Sequence, residues 1–313
     1  MRIMKTLPVL GSLLAFTASA LASPKHGEPI ATVPFELHDN RIFVSITLEG
    51  QGPFSVIFDT GGSNVITPQV KQILGSKILS TDSTTGAGEG TVEINTVRIG
   101  SMQLGGLQLQ DQDFVVVDLG EIKQAFRFER LDGLIGYEVL QRARAKIDFD
   151  RKVIELFEPE PGRKRTARLL PFQLVDQRPV VTGRIDGRAA KILIDTGDRS
   201  NLTLFERFAV TSSLDAAFRD SAAVLTGVGV GGPIPGKIAT IAKVELGEIT
   251  IQNVVARLPT TKAGLFATSD LSASVGVGLL RGFNLEFDYQ NGLLGLEARK
   301  GYKQQSNFVP VPN

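Results

Sequence analysis

Cysteine is absent from the 313-residue sequence, and histidine occurs only twice, as His26 and His38. The lack of cysteine excludes disulfides, a thiol nucleophile and cysteine-ligated zinc or iron–sulfur sites. Two histidines are too few for a multi-histidine metal centre and leave little room for a histidine-dependent catalytic triad. Any acid–base chemistry must therefore come mainly from carboxylates, lysine or tyrosine. Neither a metal nor another cofactor is expected.

Neither sign of charge dominates the chain. It has 34 Lys and Arg residues against 33 Asp and Glu residues, a net charge of +1, which argues against a nucleic-acid partner. With 42% hydrophobic and 21% charged residues, the composition is that of a folded protein. The length suffices for about two domains. The 33 Gly and 15 Pro residues indicate many turns and therefore many short strands.

The N-terminus resembles a secretory signal peptide. Arg2 and Lys5 precede an apolar stretch, residues 7–16, and the small residues that follow predict cleavage after Ala22 or, alternatively, after Ala20. A membrane anchor is the competing interpretation, but the apolar stretch is shorter than the ~20 residues that span a bilayer. We therefore expect a secreted or periplasmic protein, with no stable membrane insertion once the signal is removed.

The chain carries the same series of motifs twice. The order of the motifs is the same in both copies, which predicts an internal duplication with halves of roughly 130 residues. The matching segments, first copy and then second, are 33–41 and 170–178, 54–61 and 190–197, 85–90 and 226–231, 135–140 and 275–280, and 147–149 and 287–289.

The two copies predict two lobes joined by a linker. The expected segments are a signal peptide at 1–22, lobes at 30–158 and 166–298, and a C-terminal tail at 299–313. Proline, glycine and charged residues at 158–165 predict a solvated linker, although the basic run 163–165 is also compatible with a processing site. Because both lobes lie in one chain, we expect a monomer.

Short β-strands are the main secondary structure that the sequence predicts. Helical patterning is limited to residues 204–222 and to short helices starting at Pro68 and near Val139. The predicted strands are 42–48, 54–58, 107–117, 145–149 and 153–157, with a hairpin turn at 150–152. The fold class is therefore all-β.

Each half places one aspartate directly after a strand-like run, followed by threonine and glycine. Asp59 and Asp195 occupy the equivalent positions. If the two halves face each other across a local two-fold axis, these carboxyl groups meet, and two carboxylates ~3 Å apart share one proton. One carboxylate then activates a water while the other polarises a carbonyl group. Gly61 and Gly197 permit close backbone approach, and the Thr60 and Thr196 hydroxyls are expected to lock the turns.

These motifs resemble the active-site turns of the pepsin and retropepsin group of aspartic peptidases. The apolar-apolar-glycine elements 134–136 and 274–276 are similar to the companion motif of that family. The resemblance covers about residues 30–298 and implies two closed β-barrel lobes with a peptide or protein substrate in the cleft between them. It also implies substrate-covering flaps at the glycine-rich loops, formed by Gly86, Ala87 and Gly88 and by Gly227, Val228 and Gly229. The implied function is that of an exported aspartic endopeptidase.

Two departures from the family pattern affect the expected site. The serine that follows Asp-Thr-Gly in pepsin-type turns is replaced by Gly62 and Asp198. Asp198 adds a third carboxylate beside the dyad and would raise its proton affinity unless a cation neutralises it. The neighbouring Arg199 is the expected cation. The repeated Asp39–Arg41 and Asp176–Arg178 are interpreted as turn-stabilising ion pairs, and the alternative is that they line the cleft.

Three alternative functions remain open from the sequence. Asp198 favours a catalytically silent peptidase fold that binds peptides or a periplasmic partner. A glycosidase would also use two carboxylates, but its acid and nucleophile lie in dissimilar surroundings, unlike two copies of one turn. Residues 227–232 match a dinucleotide-binding glycine pattern, yet Pro233 and Pro235 argue against the helix that such a motif requires.

Overall fold

The protein consists mostly of β-strands with a few short helices. The computed structural model describes residues 27–166, 169–268, 270–304 and 311. The first half contains β1 (Ala31–Pro34), β2 (Glu36–His38), β3 (Arg41–Leu48), β4 (Gln51–Phe58), β5 (Val65–Ile66), α1 (Pro68–Leu74), β6 (Ile78–Thr85), β7 (Thr91–Leu104), β8 (Leu107–Val116), α2 (Gly120–Ala125), β9 (Gly133–Ile135), α3 (Tyr137–Leu140), β10 (Arg144–Asp148) and β11 (Val153–Phe157).

The second half contains a similar series of elements. They are β12 (Leu169–Val175), β13 (Arg178–Ile185), β14 (Arg188–Asp195), β15 (Leu202–Leu204), α4 (Glu206–Thr211), a 3-10 helix (Leu214–Phe218), β16 (Val224–Gly229), β17 (Gly232–Leu246), β18 (Ile249–Pro259), α5 (Leu265–Thr268), β19 (Ala273–Gly276), α6 (Val277–Leu280), β20 (Phe283–Asp288) and β21 (Leu293–Ala298).

The two halves pair their strands in equivalent order. In the first half the order is β2-β3-β4-β9-β5-β8-β7-β6, and β3 also pairs with β7. In the second half it is β12-β13-β14-β19-β15-β18-β17-β16, and β13 also pairs with β17. The strand that leads into the aspartate turn runs parallel to its neighbour in both halves, β4 beside β9 and β14 beside β19. Each aspartate therefore leaves the sheet at an equivalent point.

A shared sheet joins the two lobes. Its strand order is β1-β11-β10-β20-β21-β12, and β10 of the first lobe pairs antiparallel with β20 of the second. Ala145 lies opposite Phe287, and both side chains are buried in a core cluster that includes residues of both lobes. This continuity fixes one lobe against the other, and so fixes the distance between the two aspartate turns.

The structure matches the predicted strands and divides the longest predicted helix. The predicted strands correspond to β3, β4, β8, β10 and β11. Helix α1 begins at Pro68, where the Thr67 hydroxyl caps the Val70 amide at 3.4 Å. The helix predicted over 204–222 is instead α4 and the 3-10 helix, because Ser213 between them takes a left-handed conformation with φ of 58° that ends regular helix geometry.

The predicted signal segment, 1–22, lies outside the described residues, as does most of the predicted tail. Within the described ranges, none of the helices has the length and apolar character to cross a membrane. The linker predicted at 158–165 forms a loop without helix or strand. Arg163 in this loop contacts Glu286 of β20 at 2.5 Å, so the linker is attached to the shared sheet.

Candidate active site

The two aspartate turns lie against each other where the lobes meet. Phe58 and Ile194, which precede the aspartates, are fully buried. A methyl group added to Gly61 would come within 2.6 Å of Asp195 Cγ, and one added to Gly197 within 2.5 Å of Asp59 Cγ. Only glycine fits these two positions, because each glycine backbone packs on the carboxyl group of the opposite lobe.

Reciprocal threonine hydrogen bonds connect the turns. The Thr60 hydroxyl donates to the Ile194 carbonyl at 2.7 Å and accepts from the Thr196 amide at 3.0 Å. In the mirrored arrangement, the Thr196 hydroxyl donates to the Phe58 carbonyl at 2.7 Å and accepts from the Thr60 amide at 2.9 Å. The hydroxyls thus lock the turns as expected, but they do so between lobes rather than within each turn.

The glycines at Gly136 and Gly276 support the turns from behind. A methyl group on Gly136 would lie 2.9 Å from the carbonyl carbon of Gly62, and one on Gly276 would lie 2.5 Å from the Ser200 carbonyl oxygen. Side chains other than hydrogen would therefore push the turns out of place. This contact explains the glycine that ends each apolar-apolar-glycine motif.

Asp59 and Asp195 share a hydrogen bond between their carboxyl groups. Each also accepts its own turn's amide at 2.8 Å, Asp59 from Gly61 and Asp195 from Gly197. Burial raises the pKa of Asp59, although the Gly61 amide, Arg178 and Arg41 oppose that shift. Burial and the charges of Asp59 and Asp198 raise the pKa of Asp195 well above its usual range. Two half-buried carboxyls in contact titrate as a pair and hold one proton between them.

The cation that pairs with Asp198 is Arg257. The Arg257 guanidinium lies 3.1 Å from Asp198 Oδ1, and both side chains are buried. Burial opposes ionisation of Asp198, but Arg257 and hydrogen bonds from Ser200 and Thr203 together lower its pKa. The expectation for Arg199 was wrong because its side chain points to the other lobe and pairs with Asp39. Sequence adjacency favoured Arg199, whereas the parallel pairing of β15 with β18 supplies Arg257.

A cavity of about 960 Å³ opens above the two aspartates. It is covered by two hairpins, β6–β7 and β16–β17, whose tips hydrogen-bond to each other: the Gly88 amide donates to the Val230 carbonyl at 2.9 Å and the Gly90 amide to the Gly231 carbonyl at 2.8 Å. Of the predicted flap residues, five line the cavity, namely Gly86, Ala87, Gly227, Val228 and Gly229. Gly88 lies at the contact between the tips, and the tip of the second hairpin is at Val230 and Gly231.

The glycine pattern at 227–232 runs from β16 into β17, which begins at Gly232, so the structure has no helix there and the dinucleotide interpretation fails. The second flap instead contacts the first through backbone atoms, which explains why the tips are rich in glycine. A methyl group on Gly88 would lie 2.5 Å from the Gly232 amide nitrogen.

The hairpin turns at 38–41 and 175–178 contribute to the cavity, in agreement with the cleft-lining alternative. Arg41, Asp176 and Arg178 line the cavity. Asp39 pairs with Arg41 at 2.5 Å as expected. Arg178 does not repeat that pair and donates from Nε to the Gly61 carbonyl at 3.1 Å. The recurrence of both arginines in the two copies was the available signal for a role at the site.

Tyr289 and Arg257 were not identified from the sequence. The Tyr289 hydroxyl donates to the Thr60 carbonyl at 3.2 Å, beneath the dyad. Burial and the charges of Asp59 and Asp195 raise the pKa of Tyr289 well above its usual range, so it stays a neutral donor. Phe149 occupies its place in the first copy, so no repeated motif pointed to a hydroxyl there.

Comparison with known protein families matches this architecture. The family model described as aspartyl protease, of the retropepsin-like type, matches residues 44–139 and 181–297, one region in each lobe. The chain belongs to the aspartyl protease family. A comparison with curated proteins finds no significant match.

Proposed function

We propose that the chain is an aspartic endopeptidase that cleaves peptide or protein substrates with Asp59 and Asp195. The observation that carries the proposal is the contact between the two half-buried carboxyls at the floor of a cleft covered by both flaps. Membership of the aspartyl protease family supports a peptidase-type function. The cyclic strand pairings through β3–β7 and β13–β17 support a closed barrel in each lobe.

The unequal surroundings of the two carboxyls assign their roles. Asp195, next to the buried Asp198 charge, holds the shared proton and donates it toward the substrate carbonyl. Asp59, whose ionised form is favoured by the Arg178 and Arg41 charges, accepts a proton from the attacking water. An extended peptide lies between the dyad and the flap strands, whose backbone groups bind it as an added strand. The closed flaps exclude bulk water from the reaction.

Cleavage of a peptide library by the mature protein between pH ~3 and ~8 tests this proposal. Asp59→Asn should lower the rate by about 10²–10⁴-fold, the usual contribution of a general acid–base group. Asp113→Asn, which changes an exposed carboxylate on β8, is the matched control and should cleave like the unmodified protein. A statine-type inhibitor should block cleavage.

The alternative is a catalytically silent module that binds peptides. Asp198, the residue that favours this alternative, has a lowered pKa and pairs with Arg257. It therefore leaves the dyad able to hold a single proton, which favours a catalytic function over a non-catalytic one. Binding of the inhibitor without cleavage at any pH would establish the silent module. Wild-type rates in Asp59→Asn would show that cleavage does not use this dyad.

We also propose that the protein is exported to the periplasm or secreted. The support is the basic start, apolar stretch and small-residue cleavage site in residues 1–22. Mass spectrometry of the native protein should find a mature N-terminus after Ala22 or Ala20. A native chain that begins at Met1 would refute export by this route.

A further inference from the structure

The two equivalent hairpins of the cleft differ in how their arginines are engaged. Asp39 binds both Arg41, at 2.5 Å, and Arg199 of the opposite lobe. The Arg41 guanidinium also lies 4.1 Å above the centre of the Phe126 ring, and its side chain is buried. Protein groups therefore already surround the cations on this side of the cleft.

Arg178, the equivalent residue in the second lobe, is half-buried and lines the cavity. Its Nε donates to the Gly61 carbonyl at 3.1 Å. In the part of the chain that the structure describes, Arg178 forms no ion pair, and its two terminal nitrogens make no hydrogen bond to protein.

The free edge of the Arg178 guanidinium suits one kind of ligand. A guanidinium presents parallel N–H groups that match a carboxylate in a bidentate pair. An apolar substrate residue that covered this half-buried cation would remove its hydration without replacing its hydrogen bonds. Binding of such a residue would therefore carry a desolvation penalty in free energy. The Nε contact holds the group beside Gly61, two residues after Asp59, so its partner must belong to a substrate residue near the scissile bond.

We propose that Arg178 forms a subsite for a carboxylate of the peptide substrate, supplied by an acidic side chain or by the C-terminus. This inference rests on the proposed peptidase function and names the substrate feature that the cleft recognises. Arg178 is thus a specificity-determining residue. Among the other cleft-lining cations, Arg41 and Arg199 bind Asp39, Arg257 binds Asp198, and Lys191 is the further cation whose contribution has to be separated.

Cleavage of matched peptide pairs tests the inference. C-terminally amidated peptides that differ only by Glu against Gln at each position around the scissile bond report an acidic side chain, and amidated against free-acid peptides report the C-terminus. The carboxylate form should be cleaved about ten-fold better at one position, the effect expected of a charged hydrogen-bonded pair. Arg178→Gln should abolish this preference, and Arg178→Lys should retain part of it. In Arg178→Glu, a peptide with lysine at that position should be cleaved better than the peptide with glutamate.

Two control variants test whether the carboxylate preference depends on Arg178 rather than on another cation. Lys191→Gln tests the second cleft cation, and Arg98→Gln changes an exposed arginine on β7 that pairs with Asp113 away from the cleft. Both should keep the preference. A preference that survives Arg178→Gln, or that is lost in Lys191→Gln instead, would overturn the proposal, as would equal cleavage of all pairs by the unmodified protein.

Binding measurements separate this inference from the proposed function. Asp195→Asn keeps a neutral group in place of the protonated carboxyl and leaves Asp59 beside Arg178, so its binding of the same peptides reports the subsite without cleavage. Tighter binding of the carboxylate form that Arg178→Gln removes would support the subsite even if the protein cleaved nothing. Cleavage with no carboxylate preference in either assay would refute the subsite and leave the peptidase function standing.

Discussion

Replacing Arg257 by valine should destabilise the protein strongly. The substitution removes the cation that faces Asp198 at 3.1 Å, and Asp198 is only 7% exposed. Breaking a buried ion pair from one side costs about 3–5 kcal/mol, because the remaining charge stays desolvated. Asp198 would keep the Ser200 amide at 2.9 Å and the Thr203 hydroxyl at 2.7 Å. We therefore expect about 3 kcal/mol, the lower end of that range.

The first lobe provides the control for this prediction. By the equivalent strand pairings, Val115 and Val65 stand where the second lobe has Arg257 and Thr203, and Gly62 stands in place of Asp198. The triple variant Asp198→Gly, Thr203→Val, Arg257→Val copies that apolar arrangement. Because it removes both charges together, it should recover at least half of the lost stability.

Urea unfolding at several pH values measures both effects. In the unmodified protein the folded state lowers the pKa of Asp198, so ionisation of Asp198 stabilises the fold above pH ~3.9. This contribution to stability is lost as the pH falls below that value. Without Arg257, burial dominates and raises that pKa, so ionisation then opposes folding. The loss in Arg257→Val should therefore grow between pH ~4 and ~7. A loss under ~1 kcal/mol at pH ~7 would refute the buried-pair reasoning.

Two further predictions concern the dyad and the flaps. Asp195→Asn should stabilise the protein at pH ~7 by about 1.4 kcal/mol for each unit by which folding raises the Asp195 pKa, because only the unfolded chain gains from ionising this group. Thermal unfolding should show the gain shrinking toward pH ~4, and a pH-independent difference would contradict the raised pKa. Gly88→Ala should separate the flap tips, raising KM and flap proteolysis, whereas Gly90→Ala, whose methyl would meet the Gly231 carbonyl at 2.9 Å, should act more weakly. Equal effects of both substitutions would count against the tip contact.

Most of what the sequence predicted about the fold and the candidate site came from the repeated motifs. A strand followed by Asp-Thr-Gly fixes where each carboxyl leaves its sheet, so placing Asp59 and Asp195 together required only that the lobes face each other. The resemblance to aspartic peptidases predicted flaps at the glycine-rich loops, and the structure places hairpins there over the cleft. The roles of these residues in catalysis remain a prediction, for which the geometry supplies the support.

Long-range pairing is what the sequence could not show. The adjacent residues Asp198 and Arg199 point in different directions, so Arg199 reaches Asp39 of the other lobe while Asp198 points inward. The cation that pairs with Asp198 is Arg257, which lies on another strand and becomes a neighbour only because β15 pairs with β18. The threonine hydroxyls likewise bond across lobes rather than locally. No local pattern encodes which distant element a buried side chain meets.

The differences between the lobes, more than their likeness, determine how this site would act. Two identical turns in identical surroundings would share a proton equally and would accept a peptide in either direction. A peptide is directional, however, and hydrolysis needs one acid and one base. Asp198 near Asp195 and Arg178 near Asp59 break both symmetries at once, because in the proposed mechanism the first favours the proton on Asp195 and the second distinguishes the two halves of the cleft. A single orientation of bound peptide relative to Asp195 is therefore expected.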